Sequence, residues 1–104
     1  MMTSLFRVAV PERFKLATRP NGVEARNFVL QTLKDYDSIE LDFMGAHLSP
    51  SFADECVGIL CQILGWEAFK TRIRLANVSD DSKSLIRHVV GRRRAQLDAT
   101  PASH

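Results

Sequence analysis

Two serines and two carboxylates lie close together in the octet LSPSFADE, residues 48–55. A serine hydroxyl at a helix start has two chemical uses: it caps backbone N–H groups, or it accepts a phosphate that the helix dipole stabilises. Pro50 disfavours helical geometry at Ser49 and suits the first helical position, so Ser49 is the predicted N-cap. Ser51 then lies in the first turn with a free hydroxyl and is the candidate phosphoacceptor. A helix that begins slightly later would instead make Ser51 the cap of a box that Asp54 closes.

A phosphate on Ser51 would change the local charge of this helix start. It would bring about −1.5 to −2 charges, which the helix dipole favours and the nearby Asp54 and Glu55 oppose. The modified form would repel an acidic partner surface while disturbing the fold very little. These properties are those of a switch that controls the binding of a partner.

Metal-dependent or nucleophilic catalysis is a weaker reading of the same residues. Asp42, Asp54 and Glu55 would be adequate magnesium ligands if they met at the end of one strand. The simpler interpretation is that Asp54 and Glu55 stabilise a first helical turn and that Asp42 anchors a loop. The spacing around His47 and His88 suggests neither an orienting group nor a nucleophile elbow. We therefore predict no enzyme and no metal site, and keep a carboxylate metal-dependent enzyme as a less favoured alternative.

A cluster of cations near the end of the chain is the strongest rival signal. Such a cluster could attract the phosphate backbone of a nucleic acid, or it could be a solvated helix face that favours the C-terminal dipole. The sequence therefore leaves a nucleic-acid-associated regulator as the alternative function. Its candidate contact residues are Lys83, Arg87, Arg92, Arg93 and Arg94.

The chain has the bulk properties of one globular domain. Its 104 residues are 45% hydrophobic and 25% charged, with a formal net charge of +2. We expect a single domain over residues 1–98 and a flexible tail over residues 99–104. The sequence has no signal-like start, no apolar stretch of membrane-spanning length and no Gly-rich phosphate loop, which predicts a cytoplasmic protein with no membrane partner and no cofactor. Cys56 and Cys61 are predicted to be free, buried thiols, because one helix turns them away from each other.

Alternating and helical periods follow one another along the chain and predict an α/β fold. Alternation predicts four short strands, within residues 4–10, 13–18, 38–43 and 71–78. Helical periods predict three helices, which begin near Gly22 behind an Asn21–Glu24 capping box, at the octet, and near Ser79. The predicted order is β-β-α-β-α-β-α, with about three helices on a mixed, mostly parallel sheet of about four strands. Trp66 and Phe69 follow the second helix and either close an edge of the core or form an exposed aromatic patch.

The segment IELDFMGAHLSPSFADECVGIL, residues 39–60, resembles STAS-like domains, a bacterial family of unknown function related to anti-sigma-factor antagonists. The resemblance covers residues 15–90, and its most specific parts are Leu-Asp-Phe at 41–43 and Ser-Phe-Ala-Asp-Glu at 51–55. In the serine-phosphorylated antagonists, the corresponding loop carries Asp-Ser-Ser-Gly, and an ATP-dependent anti-sigma kinase phosphorylates the second serine. Ungapped alignment places Ser51 at that serine, whereas Ser49, Pro50 and Phe52 depart from the pattern.

The resemblance implies a single STAS-like domain that regulates a partner protein without being an enzyme. The implied partner is a histidine-kinase-like ATPase or a similar regulator, which would dock on the loop and helix at residues 47–58. The departures from the family pattern favour docking over phosphorylation itself. The predicted contact residues are His47, Ser49, Ser51, Phe52, Asp54 and Glu55. Neither the partner's identity nor the oligomeric state follows from the sequence.

Overall fold

Three parallel strands form one sheet in the computed structural model, which describes residues 4–99 and the side chains of residues 4–96. The strands are β1 (Leu5–Ala9), β2 (Ser38–Asp42) and β3 (Ile73–Ala76), and they lie side by side in the order β1-β2-β3. Both neighbouring pairs are parallel. The α/β class is therefore confirmed, but the described residues form three strands rather than the predicted four, and the sheet is parallel rather than mixed.

The predicted second strand, residues 13–18, is an extended connection. A short helix, α1 (Val10–Arg13), begins directly after β1 and turns the chain away from the sheet. The side chains of Phe14 and Leu16 are half-buried, as the alternation predicted. However, the Leu16 carbonyl accepts a hydrogen bond from the backbone N–H of Ser49 at 3.1 Å, and this segment joins no strand. Alternation identifies an extended segment, whereas only its hydrogen-bond partner makes it a strand.

The first long helix, α2 (Arg19–Thr32), begins earlier than the predicted start near Gly22. Its N-cap is Thr18, whose hydroxyl oxygen accepts a hydrogen bond from the backbone N–H of Asn21 at 3.2 Å. Pro20 lies in the first turn, where its missing N–H costs no hydrogen bond. The predicted capping box was therefore wrong, because a threonine and a proline upstream provide a better start.

The second long helix is continuous but changes its winding. It consists of α3 (Pro50–Ala53), a π-helical turn (Asp54–Gly58) and α4 (Ile59–Leu64), and we call residues 50–64 the central helix. Every residue from Phe52 to Gly58 is buried, and this stretch includes the charged residues Asp54 and Glu55. The π-helical turn is defined by the N–H of Ile59, which donates to the carbonyl of Asp54, five residues earlier.

Two further helices complete the described fold. Gly65, with a φ of 85°, ends the central helix, and α5 (Trp66–Arg72) then leads directly into β3. The last helix, α6 (Asp80–Ala99), begins where the Ser79 hydroxyl oxygen accepts a hydrogen bond from the N–H of Ser82 at 3.2 Å. With the central helix counted once, the described residues form five helices instead of about three, because the short α1 and α5 leave little periodic signal.

The helices share one hydrophobic core with one face of the sheet. Strand residues of this face include Val8, Ile39, Leu41 and Ile73, which belong to the same buried cluster as the apolar side chains of the central helix. Side chains of the other face alternate with them, and those at its centre are charged. There, the register aligns Arg7, Glu40 and Arg74 across the three strands, and Arg7 forms an ion pair with Glu40 at 3.3 Å. Leu5, Ala9 and Ala76 lie towards the ends of the strands on this second face. The sheet thus carries its large buried apolar side chains on one face, which explains the alternation in the sequence.

Three other expectations concern the ends and the thiols of the chain. The predicted tail, residues 99–104, lies outside the described residues except for Ala99, which ends α6. Cys56 and Cys61 are both free and buried, as predicted. None of the described helices has the length and apolar character that crossing a membrane requires.

Candidate functional site

The start of the central helix assigns different roles to the two serines of the octet. Ser49 is the N-cap: its hydroxyl oxygen accepts a hydrogen bond from the backbone N–H of Phe52 at 3.0 Å. Its backbone is extended, with φ −73° and ψ 154°, the geometry favoured before a proline. Its carbonyl accepts from the N–H of Ala53 at 2.9 Å, which closes the first helical turn. The prediction that Pro50 makes Ser49 the cap is confirmed.

Ser51 lies in the first turn of the central helix, with a hydroxyl that has no hydrogen-bond partner among the described residues. Its side chain is half-buried and lines a recess of about 190 Å³. The recess lies between the start of α2, the start of the central helix and one side of α6. Its walls contain the guanidinium groups of Arg19 and Arg92, the imidazole of His88 and one carboxylate, that of Asp54. The guanidinium groups around the Ser51 oxygen therefore outnumber the carboxylates.

The two carboxylates of the octet are largely buried and paired with arginines, and that of Asp54 lies in the wall of this recess. Arg93 donates two hydrogen bonds to Asp54, from Nε at 3.0 Å and from Nη2 at 2.6 Å. Glu55 accepts hydrogen bonds from Arg19 at 2.6 Å and from Arg26 at 3.1 Å. The side chains of Asp54 and Glu55 are only 6% and 11% exposed. Burial of these charges is tolerated because each is matched by at least one guanidinium group.

The pKa values of the paired groups move in the direction that strengthens their charges. The hydrogen bonds from Arg93 hold the pKa of the Asp54 carboxyl below its ordinary value, against the effect of burial. The hydrogen bond to Glu55 raises the pKa of Arg19, and the hydrogen bonds to Asp54 raise that of Arg93. Asp54 is therefore a fixed anion that links α6 to the central helix, with no proton to exchange near neutral pH.

Three of the predicted contact residues are not accessible to a partner. Phe52 is 0% exposed and belongs to the core. Asp54 and Glu55 are also buried, because their carboxylates bind arginines of the same chain. The predicted docking role of these three residues is thus corrected to a structural one. Of the six predicted contact residues, His47 is exposed and Ser49 and Ser51 are half-buried.

Asp42 does not join the other carboxylates. Its Oδ1 accepts hydrogen bonds from the backbone N–H of Met44 at 2.8 Å and from the Asn77 side-chain amide at 2.9 Å. The Asn77 hydrogen bond lowers the pKa of Asp42. Asp42 therefore anchors the loop after β2, as the simpler interpretation proposed. Within residues 4–96, no group of three or more histidine, cysteine or acidic side chains is arranged to hold a metal ion. The less favoured alternative, in which Asp42 meets Asp54 and Glu55, is therefore not observed among these residues.

The cations near the end of the chain do not form one surface. At about 100° per residue, Arg92 lies roughly opposite Lys83 around α6. Arg92 faces the recess of Ser51, whereas Lys83 and Arg87 line a different groove. Arg93 is bound to Asp54, and the Arg94 guanidinium stacks 3.8 Å from the centre of the Trp66 ring. The five candidate residues for nucleic-acid contact therefore do not form one patch: Lys83 and Arg87 share a groove, Arg92 lies at the recess, and Arg93 and Arg94 contact Asp54 and Trp66.

Neither cysteine is placed for catalysis. Burial raises the pKa of the Cys56 thiol to about 12 and also raises that of Cys61. The reactive species of cysteine is the thiolate, which such burial suppresses.

Sequence reasoning missed Arg19 and Arg26 as partners of the octet, and His88 as a wall of the recess. These residues are separated from Ser51 and Glu55 by about thirty residues of chain. No spacing within the sequence signals such a contact, because it depends on how α2 and α6 pack against the central helix. The arrangement as a whole can hold a phosphate or another small anion beside the Ser51 hydroxyl.

Comparison with protein-family models, with curated proteins and with solved structures gives no match to this chain.

Proposed function

We propose that this protein is a non-enzymatic regulatory module that binds a partner protein through the surface around Ser51, and that phosphorylation of Ser51 controls this binding. The observation that carries the proposal is the division of roles between the two serines. Ser49 caps the helix, while the Ser51 hydroxyl has no hydrogen-bond partner among the described residues and lines a recess in which two arginines accompany one carboxylate. A modification of Ser51 therefore leaves the capping interaction intact.

The surroundings of Ser51 support a phosphate better than the sequence alone suggests. The acidic neighbours Asp54 and Glu55 are already neutralised by Arg93, Arg19 and Arg26. Their opposition to a new negative charge is therefore reduced.

Arg92 supplies a positive charge that is not neutralised by another described residue. Its side chain is exposed and forms no hydrogen bond or ion pair with a described residue, so it is available for a phosphate oxygen. Phosphate bound by arginine at a helix start gains charge-assisted hydrogen bonds as well as the dipole interaction.

The resemblance to STAS-like domains supports the choice of partner. A histidine-kinase-like ATPase would present both a docking surface and a phosphate donor, and the transfer would move the terminal phosphoryl group of ATP to the Ser51 oxygen, releasing ADP and a proton. The module itself would act in the cytoplasm as the acceptor. The accessible part of its docking surface would comprise His47, Pro50, Ser51 and Arg92.

The test compares three baits in cells of the native host: wild type, Ser51→Asp and Ser84→Asp. Ser84 is an exposed serine of α6 that does not line the recess, so its variant adds the same charge elsewhere. We expect one protein to be recovered with wild type and Ser84→Asp, and to be depleted at least about tenfold with Ser51→Asp. The free energy of unfolding of both variants should stay within about 0.5 kcal/mol of wild type.

Intact-mass measurement of the wild-type bait checks the chemistry separately. It should show the mass of one phosphate group, which disappears in Ser51→Ala. Equal recovery of the same proteins by all three baits would refute the docking surface. If the wild-type bait carries no phosphate but Ser51→Asp still fails to recover the partner, the docking surface would be supported and the phosphorylation of Ser51 would be refuted.

A further inference from the structure

A second concave surface lies between α5, β3 and α6, away from the recess of Ser51. It is a groove of about 320 Å³, within the range of small-molecule sites. Its walls are formed mostly by apolar side chains, which are those of Trp66, Phe69, Leu75, Val78, Ile86 and Val90. Trp66 and Phe69 therefore close an edge of the core and also form one wall of the groove, with their rings stacked at a centroid distance of 6.1 Å.

The polar side chains that line the groove are all cationic. They are Lys83 and Arg87, and no acidic side chain lies among the lining residues. Arg87 is exposed and has no hydrogen bond or ion pair with a described residue. The ion pair of Lys83 with the fully exposed Asp80 spans 3.9 Å, so it competes weakly with a ligand. The groove thus combines an apolar interior with positive charge that is not neutralised within the fold.

Further positive charge lies over the aromatic wall. The guanidinium carbon of Arg94 is 3.8 Å and the ammonium nitrogen of Lys70 is 5.6 Å from the centre of the Trp66 ring. Lys70 also pairs with the exposed Glu67 at 3.2 Å. Because cations outnumber acids around this groove, it attracts anions and disfavours cationic ligands.

We propose that this groove binds a small amphipathic carboxylate, with the apolar part of the ligand against Trp66, Phe69 and Ile86 and the carboxylate paired with Arg87 and Lys83. The apolar walls supply binding free energy through the area removed from water. The planar fork of Arg87 selects a carboxylate over a neutral head group. Charge complementarity and volume favour this occupant over a second copy of the chain, whose own surface here is cationic.

The chain contains one tryptophan, which lines the groove, so its fluorescence reports directly on occupancy. The experiment titrates the full chain with decanoate, decanol and decyltrimethylammonium, which share an apolar chain and differ in head group. All are used below the concentration at which they aggregate. We expect decanoate to change Trp66 emission saturably and decanol to bind about tenfold more weakly, because the hydroxyl of decanol is uncharged and cannot accept charge-assisted hydrogen bonds from Arg87. The cationic analogue should give no saturable change.

Variants distinguish the head-group contact from nonspecific hydrophobic binding. Arg87→Met should weaken decanoate binding about tenfold and leave decanol binding unchanged. Arg74→Met is the matched control, because it removes an exposed arginine from the opposite face of the sheet, outside the groove, and should change neither. Equal affinity for decanoate and decanol, or no saturable change with decanoate, would overturn the proposal. It would also be overturned if Trp66 emission changed with protein concentration alone, which would indicate an interface between copies.

Discussion

The carboxylate of Asp54 and the guanidinium of Arg93 connect residues that are 39 positions apart. Both groups are largely shielded from water, with side chains 6% and 19% exposed. Desolvation of each charge is costly, and the two hydrogen bonds between them offset that cost. Removing one partner leaves the other charge buried, although Arg19 also approaches Asp54 at 3.4 Å. The free energy of unfolding should therefore be most sensitive to a substitution that removes only one member of the pair.

Asp54→Asn should lower the free energy of unfolding by about 2–4 kcal/mol at pH 7, because Arg93 loses its charged partner. Arg93→Met should have an effect of similar size. Urea unfolding monitored by Trp66 fluorescence measures both. Arg92→Met is the control, since this exposed arginine has no partner within the part of the chain that the structure describes. Its replacement should change the free energy of unfolding by less than about 0.5 kcal/mol. Equal effects of Arg92→Met and Arg93→Met would contradict the role given to this pair.

The same pair predicts a pH dependence of stability. The pKa of Asp54 is lower in the folded chain than in the unfolded chain, mainly because of the hydrogen bonds from Arg93. A depressed carboxyl pKa contributes stability above the unfolded value of about 3.9, and that contribution is lost as the pH falls through the folded value. The difference in stability between wild type and Asp54→Asn should therefore be constant from pH 7 to about 5 and shrink below about pH 4. A difference that stays constant in acid would show that Asp54 does not titrate in this way.

Single residues were predictable from the sequence where local backbone chemistry decided them. Pro50 restricts Ser49 to an extended geometry, so the cap and the free Ser51 hydroxyl followed from the octet itself. The partners of Asp54 and Glu55 did not follow, because Arg19 and Arg93 reach them only after the helices have packed. Because the sequence does not reveal these arginine partners, Asp54 and Glu55 were predicted to be available for docking or considered for metal binding.

At the scale of elements, α2 and the central helix pack closely against each other at Gly22. A methyl group placed there would lie 2.7 Å from Cβ of Glu55 and 3.0 Å from the backbone oxygen of Phe52. Carbon atoms at such separations repel, and neither neighbour is the free end of a flexible side chain. The absence of a side chain at Gly22 thus permits the contact that brings Arg19 and Arg26 to Glu55.

Gly22→Ala should destabilise the fold by about 1–3 kcal/mol, because the two helices must move apart. Gly91→Ala is a matched control on α6, since a methyl group there meets no atom within 4 Å. That variant should instead stabilise the protein by about 0.5–1 kcal/mol through the higher helix propensity of alanine. Thermal and urea unfolding of the two variants measure these opposite signs. Stabilisation by both substitutions would show that the helix contact at Gly22 is not tight.

The order of the main elements was predictable because their periods are clear, and the exceptions have physical causes. The segment at residues 13–18 has the alternation of a strand, but its nearest backbone partner is Ser49 and not β1. The start of α2 was misplaced because Asn21 and Glu24 have the spacing of a capping box, whereas Thr18 forms the capping hydrogen bond. Residue spacing does not reveal a hydrogen-bond partner that is distant in sequence. Nor does it show which of two competing side chains forms a capping hydrogen bond.

At the scale of the whole molecule, the central helix is the element on which the others converge. Its buried residues share one core with β2 and with Ile86, Val89 and Val90 of α6. Its thiols, Cys56 and Cys61, are 1% and 0% exposed. Exposing either one requires the separation of helices that pack on different sides of this element. Core helices of this kind open with the free energy of global unfolding.

Thiol labelling should therefore report global unfolding at both cysteines. In native buffer, each thiol should react at least about 1,000-fold more slowly than in the urea-unfolded chain, because reaction waits for the unfolded state. The high pKa of Cys56, about 12, reduces its reactivity further for as long as the fold is closed. Mass spectrometry of labelled peptides at several urea concentrations gives an opening free energy for each site, to be compared with the value from fluorescence. Agreement of all three values would establish one cooperative unit, whereas faster labelling of Cys61 alone would show that α4 and α5 open independently of the recess around Ser51.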